Sequence, residues 1–333
     1  MSNIPLLAIG IDYELFFGKQ HGTAERCLIE PTNALTKILD RHGAKLTVFV
    51  DAGYLDRLSK SNVASLERTR DTISAQLQSL VAGGHDVQLH IHPHWEDCHW
   101  QSDRWQMSTE RYRLHDFEQA DLNALVSRYK KTLDDLSGTN SIAYRAGGWC
   151  LQPFAGIGQA LEKAGILVDS TVFSGGVSQD EQRGFDYTKA PDEFWWRFDE
   201  DPQIATNEGK FLEIPISSIR VTPWFFIKDQ LLKRMDPSAH QALGDGSALT
   251  ASRKYYIERL TKTSVAPVSI DGAKATLLVA AYKQKARKPG SILNVMGHPK
   301  AFTRRSLQLV DEFLERTKVA PRTIRELAEK LAK

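Results

Sequence analysis

The stretch Gly84–Trp95, GHDVQLHIHPHW, sets His90, His92 and His94 at alternate positions behind an apolar run. Alternate side chains of a strand share one face, so three imidazoles crowd together and need something to engage their lone pairs. Imidazole suits zinc and its neighbours, and metal binding by a pair of these histidines is expected. His90 and His94 stand four apart, and Pro93 bends the chain out of the strand, so both can turn toward one point. His92, between them, either supports a ligand or replaces one.

Two imidazoles need a third, usually anionic, ligand to make an open catalytic site. The segment IDYE supplies Asp12 and Glu14, two apart and so on one face. One can bind metal while the other stays free as a base; a solvated acid pair at a strand end is the plainer alternative. His298, in NVMGHPK, follows an apolar run and could donate a proton, or be an ordinary loop histidine. Arg145, in YRAGGW, precedes two glycines that let backbone approach a ligand. It could orient a carboxylate by a bidentate contact or form a structural ion pair.

These residues fall at the ends of short apolar runs that read as strands: 6–14, 45–51, 86–92, 142–146, 166–171, 211–217 and 292–298. Between them, 32–43, 71–84, 121–138, 152–165 and 304–317 show helical spacing, most ending in glycine. Strand then helix, repeated about seven times, predicts parallel α/β architecture. No GxGxxG follows the first strand, which argues against an open dinucleotide-binding sheet. Polar residues at nearly every strand's C-terminal end fit a barrel rim. The expected fold is therefore a distorted (β/α) barrel of about seven parallel strands, with a helical excursion before the last strand. The single domain would carry an aromatic loop at 95–117, either a lid or a satellite hydrophobic cluster, and an insertion at about 220–290 for packing, subunit contact or substrate recognition.

Composition excludes other classes. Among 333 residues, 43 basic against 41 acidic side chains leave a net charge of +2, whereas nucleic-acid proteins concentrate positive charge. The basic cluster Tyr282–Gly290 reads as a solvated helix end, with weak attraction to an anionic membrane as the remote alternative. Cys27, Cys98 and Cys150 form no CxxC pair, which suits free thiols in a reducing compartment; Cys150 reads as a buried structural thiol. With no signal-peptide pattern and no apolar run near the ~20 residues that span a bilayer, a cytoplasmic protein without an integral membrane segment is expected.

In combination the motifs resemble the polysaccharide deacetylases, the NodB-homology family also known as carbohydrate esterase family four. GHDVQLHIHPH has the shape of that family's second motif, with histidines at i and i+4; IDYE sits where its first motif places acids; and YRAGGW, VDST and VMGHP fall where arginine, aspartate and closing-histidine motifs do. The order agrees over about 5–217 and 291–333, and 220–290 has no counterpart. The resemblance implies a metal-dependent hydrolase that removes N-acetyl groups. By position it makes His90 and His94 metal ligands, Asp12 the base, His298 the acid, and Arg145 the residue that holds Asp12. The first motif departs from the family pattern: its acids are spaced by Tyr13, which makes Glu14 the third ligand. The arginine motif lacks its usual proline, so the oxyanion donor, a backbone N–H near Gly147 or Gly148, is open.

The implied cofactor is a divalent transition metal, zinc first, with cobalt, nickel and iron chemically allowed. A cytoplasmic location points to an N-acylated amino sugar, nucleotide- or lipid-linked, as in surface-polysaccharide (O-antigen) assembly. No nucleic-acid partner is expected, and homo-oligomerisation is left open. Three rival readings are an amidohydrolase built on the His90–His92 HxH, an amidase for a formyl or cyclic amide group, and a non-catalytic sugar-binding protein on the same fold.

Overall fold

The computed structural model describes residues 4–18, 20–180, 182–247 and 253–332. Eight strands form one curled sheet: β1 (Leu6–Tyr13), β2 (Thr47–Asp51), β3 (Asp86–Ile91), β4 (Ala143–Ala146), β5 (Val168–Asp169), β6 (Trp196–Phe198), β7 (Phe211–Glu213) and β8 (Ile292–Gly297). Their order across the sheet is β6-β7-β5-β4-β3-β2-β1-β8. Every neighbouring pair is parallel except β6–β7. The seven parallel strands coincide with the seven apolar runs, and β6 is an antiparallel edge strand that the sequence pattern did not suggest.

The barrel is distorted at the seam between β7 and β8, where no strand ladder joins them. Irregular backbone closes the gap instead: Ser217 N donates to Asn294 O at 2.9 Å, Val268 N to Ser217 O at 2.7 Å and Met296 N to Val268 O at 3.0 Å. The Asn294 amide donates to Ile214 O at 3.1 Å. These bonds satisfy donors that a missing ladder would leave buried and unpaired. They also explain why β7 stops short of the expected 211–217, where the chain leaves sheet geometry to build the seam; β5 is likewise shorter than the expected 166–171.

Helices on the outside connect the strands: α1 (Glu30–Arg41), α2 (Ala52–Ser59), α3 (Ala64–Ala82), α4 (Gln119–Ser137) and α5 (Ala155–Lys163). The excursion contributes α6 (Pro223–Met235), α7 (Arg253–Thr261) and α8 (Leu278–Lys285), and the C-terminal part α9 (Arg304–Thr317) and α10 (Ile324–Leu331). Residues 248–252 of the expected insertion lie outside the described residues. The α4 helix ends at Gly138 with φ +73°, a left-handed cap that costs glycine nothing. Thr303 with Ser306, and Thr323 with Glu326, form reciprocal caps at the starts of α9 and α10.

Alternation along the strands decides what fills the barrel. At the N-terminal end Ala8, Phe49, Ala143, Val168, Leu212 and Ile292 pack against Ile324, Leu327 and Ala328 of α10, and Ile324 N donates to Thr47 Oγ1 at 2.8 Å. This plug leaves the C-terminal rim as the open end. Two and four residues on from Gly10, itself two beyond Ala8, the same face of β1 carries Asp12 and then Glu14. A Cβ on Gly10 would lie 3.0 Å from the Arg145 guanidinium, so glycine there makes room for the arginine.

Candidate active site

Arg145 organises the floor of the site. It is wholly buried and stacks over Phe49 with its guanidinium carbon 4.0 Å from the ring centroid. Nε donates to Ser170 O at 2.7 Å, Nη2 to Ser170 Oγ at 3.2 Å, and Nη1 to Asp12 Oδ1 at 2.7 Å. Asp12 is thus held by one oxygen, with Oδ2 facing the rim.

Glu14 lies beside it, and two histidines of β3 and its exit converge on one of its oxygens. His90 Nδ1 faces the Arg145 carbonyl at 2.8 Å; a carbonyl only accepts, so Nδ1 carries a proton and Nε2 is turned toward Glu14. That Nε2 is 3.0 Å from Glu14 Oε2, and His92 Nε2 is 2.6 Å from the same oxygen. His92 Nδ1 is buried with no hydrogen-bond partner. One ligand atom from each of Glu14, His90 and His92 fits within 4.8 Å of the others. A carboxylate and two imidazole nitrogens this close need a shared proton or cation among them, and the donor set fits a divalent transition metal.

His94 lies beside that group, its ring centroid 5.5 Å from that of His92, and neither of its ring nitrogens has a hydrogen-bond partner. The chain leaves β3 in a short 3₁₀ turn, Pro93–Asp97, anchored where Trp95 Nε1 donates to Asp51 Oδ2 at 2.6 Å. The turn places the His94 ring between Trp95 and Tyr112 and 4.7 Å from the Phe17 ring. Strand alternation persists through His92, so i and i+2 converge on Glu14, while the turn carries the i+4 residue sideways. Burial, then the neighbouring His92, pushes His94 well below the usual imidazole range, so it is neutral.

Across from Asp12 stands His298. Its Nδ1 pairs with Asp271 Oδ2 at 2.7 Å and its backbone N–H donates to Asp271 Oδ1, also at 2.7 Å. Its Nε2 faces Asp12 Oδ2 at 3.6 Å and Glu14 Oε1 at 3.7 Å. Burial alone would lower its pKa; Asp271 outweighs it, with Asp12 and Glu14 adding to the effect, and the net shift is upward. The same approach lowers Asp271 despite burial.

Two residues at this rim escaped the sequence reading. Asp271 sits in the excursion, where SIDG offers only an acid next to a turn glycine. Lys300, in HPK, donates to Glu14 Oε1 at 2.8 Å and to Leu15 O at 2.6 Å, between the rings of Phe16 and Phe17. Burial would raise the Glu14 pKa, but Lys300, then His92 and His90, hold it well below the usual carboxylate range. No spacing signal marks either residue; only the fold brings them in.

The structure also places other residues singled out in the sequence. Trp95 and Trp105 are buried with Tyr54 in an aromatic cluster, so these two serve packing and are not a lid. Burial pushes the Cys150 thiol up to about 12, which keeps it protonated. Asp169 of the VDST segment is buried and accepts from Thr171 N at 2.9 Å and Thr171 Oγ1 at 2.8 Å. Gly147 is needed because a Cβ there would sit 2.6 Å from the His92 ring.

No family model matches the sequence, and no curated protein does. Solved structures match in fold. A protein assigned as a polysaccharide deacetylase from Mycobacterium smegmatis is 15% identical with a TM-score of 0.53, covering 99% of this chain and 91% of that one. Puue allantoinase is 13% identical with a TM-score of 0.51, covering 98% and 90%. A GH57-type branching enzyme from Pyrococcus horikoshii is 10% identical with a TM-score of 0.54, covering 99% of this chain and 71% of that one. The chain therefore has the distorted barrel fold of the polysaccharide deacetylases, as the motif resemblance implied. That fold also carries other chemistries, so activity rests on the site.

Proposed function

We propose that this protein is a metal-dependent hydrolase that removes an N-acetyl or other N-acyl group from an amino sugar, nucleotide- or lipid-linked, during surface-polysaccharide assembly in the cytoplasm. The observation that carries the reading is the opposition of two oriented groups: Asp12, fixed by Arg145, and His298, fixed by Asp271, with 3.6 Å between Oδ2 and Nε2. A carboxylate base and an imidazolium acid across one small gap are what amide hydrolysis requires.

Glu14, His90 and His92 would hold the metal, zinc first among the candidates. When bound, a divalent cation supplies Lewis-acid polarisation of the acyl carbonyl and acidifies a water molecule. Asp12 Oδ2 accepts the proton of the attacking water, while Arg145 keeps the carboxylate from rotating away. His298, charged through Asp271, gives its Nε2 proton to the departing amine, which is otherwise a very poor leaving group. The test is acyl release from N-acetylated nucleotide sugars by metal-loaded protein. Release by the wild type but not by Asp12→Asn supports the reading; equal release by both would sink it.

One contact favours a second reading. Lys300 Nζ on Glu14 Oε1 places a fixed positive charge at the same carboxylate, which suits a metal-free hydrolase or a sugar-binding protein on this fold. Metal content separates the two. About one transition metal per chain, bound more tightly in Lys300→Met, supports the first reading; a chain that stays metal-free on reconstitution supports the second.

A further inference from the structure

The excursion between β7 and β8 has an apolar face directed at solvent. None of the thirteen residues of α6 is buried. Trp224, Ile227, Leu231 and Met235 recur at i, i+3, i+7 and i+11, which sets them on one side of the helix. All four are exposed, Trp224 at 65% and Met235 at 80%. Ile257 and Leu260 of α7 are exposed as well, so six of the twelve exposed large hydrophobic residues described in this chain lie on two short helices. The stripe is not the inward face of α6: Phe225, Phe226 and Leu232 are half-buried, and Arg259 of α7 lies over the Phe226 ring at 5.0 Å.

The charge around this face is net positive. Lys228, Lys233, Arg234, Arg259 and Lys262 stand against Asp229 and Glu258, with Asp236 just past α6. Asp229 pairs with Lys233 at 2.8 Å and Glu258 with Lys262 at 3.9 Å, which leaves Lys228 and Arg234 as basic side chains of α6 outside those pairs. A helix with Trp, Ile, Leu and Met along one stripe and lysine and arginine around it is built to lie in a membrane interface, where anionic headgroups attract each nearby basic side chain. Among the described residues no helix is long and apolar enough to cross a membrane.

The excursion is anchored beside the catalytic rim. Its ribbon, Ser218–Val221 paired with Ser264–Pro267, leads within four residues to Asp271. Leu243 N donates to Phe302 O at 2.8 Å and Gly244 N to Lys300 O at 3.1 Å. A surface that docks through α6 is thus tied on both sides to the segment carrying His298 and Lys300.

We propose that α6 and α7 form an interfacial anchor that docks this protein on an anionic lipid bilayer. Docking itself does not depend on the hydrolase reading. Resting on that reading, it selects a lipid-linked amino sugar over a nucleotide-linked one as the substrate.

The test is flotation of the full chain with vesicles of phosphatidylglycerol and phosphatidylcholine, against vesicles of phosphatidylcholine alone, without substrate. The expected result is binding to the anionic vesicles that weakens in high salt. It should fall at least about tenfold in the double variant Trp224→Ser, Leu231→Ser, and likewise in Lys228→Glu, Arg234→Glu. Unchanged thermal unfolding of these variants confirms that they remain folded. Absence of binding to anionic vesicles, or equal binding by wild type and both variants, overturns the proposal. So does a concentration-dependent dimer abolished by the same serine substitutions, which would give the stripe to a second copy of the chain. Because vesicle binding is read without turnover, its failure is distinct from a failure of acyl release.

Discussion

The two halves of the site are held in different ways. Asp12, Glu14, His90 and Arg145 belong to or adjoin three parallel strands, and ladder register fixes their heights, with His90 opposite Arg145. Asp271, His298 and Lys300 stand on connections at the seam, where contacts between distant segments replace a ladder. The strand side is the more rigid: three nitrogens of Arg145 are engaged, and the residue is wholly buried. The seam side is looser, and the His298 side chain remains 19% exposed. The difference teaches that a barrel can keep its base and ligands on regular structure while its acid comes from the irregular closure.

The comparison can be broken most severely on the strand side. Arg145→Met leaves Asp12 buried without its partner, and a stability loss of about 3–5 kcal/mol is expected, read as a lower denaturant midpoint, together with loss of activity. A variant as stable as the wild type would show that the arginine is not the floor of the site.

His298→Ala attacks the seam side and should behave differently. We expect kcat to fall ~10²–10⁴-fold while the unfolding midpoint and bound metal stay close to wild type. Loss of metal in this variant would mean that the seam also holds the ligands.

The ligand set gives a sharper contrast within the strand side. His92→Ala should lose bound metal, measured by elemental analysis after purification without chelators, whereas His94→Ala should retain it. The opposite pattern would support the i, i+4 pair that the motif resemblance implies.

The smallest effect is expected from Asp271→Asn, about tenfold in kcat, with a signature in pH. His298 must be protonated to donate, so activity is lost as pH rises through its pKa. Burial lowers that pKa and Asp271 raises it above the ordinary histidine value. Removing the Asp271 charge should therefore move the alkaline fall-off of kcat to lower pH. An alkaline limb that stays in place would exclude Asp271 as the group that charges His298.

How much of this was legible beforehand depends on the residue. Period-two alternation sets Asp12 with Glu14 on one face and His90 with His92 on another without any tertiary information. The apolar runs mark all seven parallel strands, because strands buried on both faces read as continuous hydrophobic segments. The i, i+4 spacing of His90 and His94 suggests a pair only if the chain keeps turning toward the rim, and the Trp95–Asp51 bond turns it elsewhere.

The sequence by itself determined the parallel α/β architecture, the rim as the place for chemistry, and an acid–histidine cluster on the first and third strands, since local periodicity and residue chemistry suffice for these. Only the tertiary structure decided that His92 rather than His94 faces Glu14, that Asp271 orients His298 and that Lys300 reaches Glu14. The last two contacts span 27 and 286 residues. They exist because the β7–β8 seam closes without a ladder, and no local pattern encodes which loops meet across it.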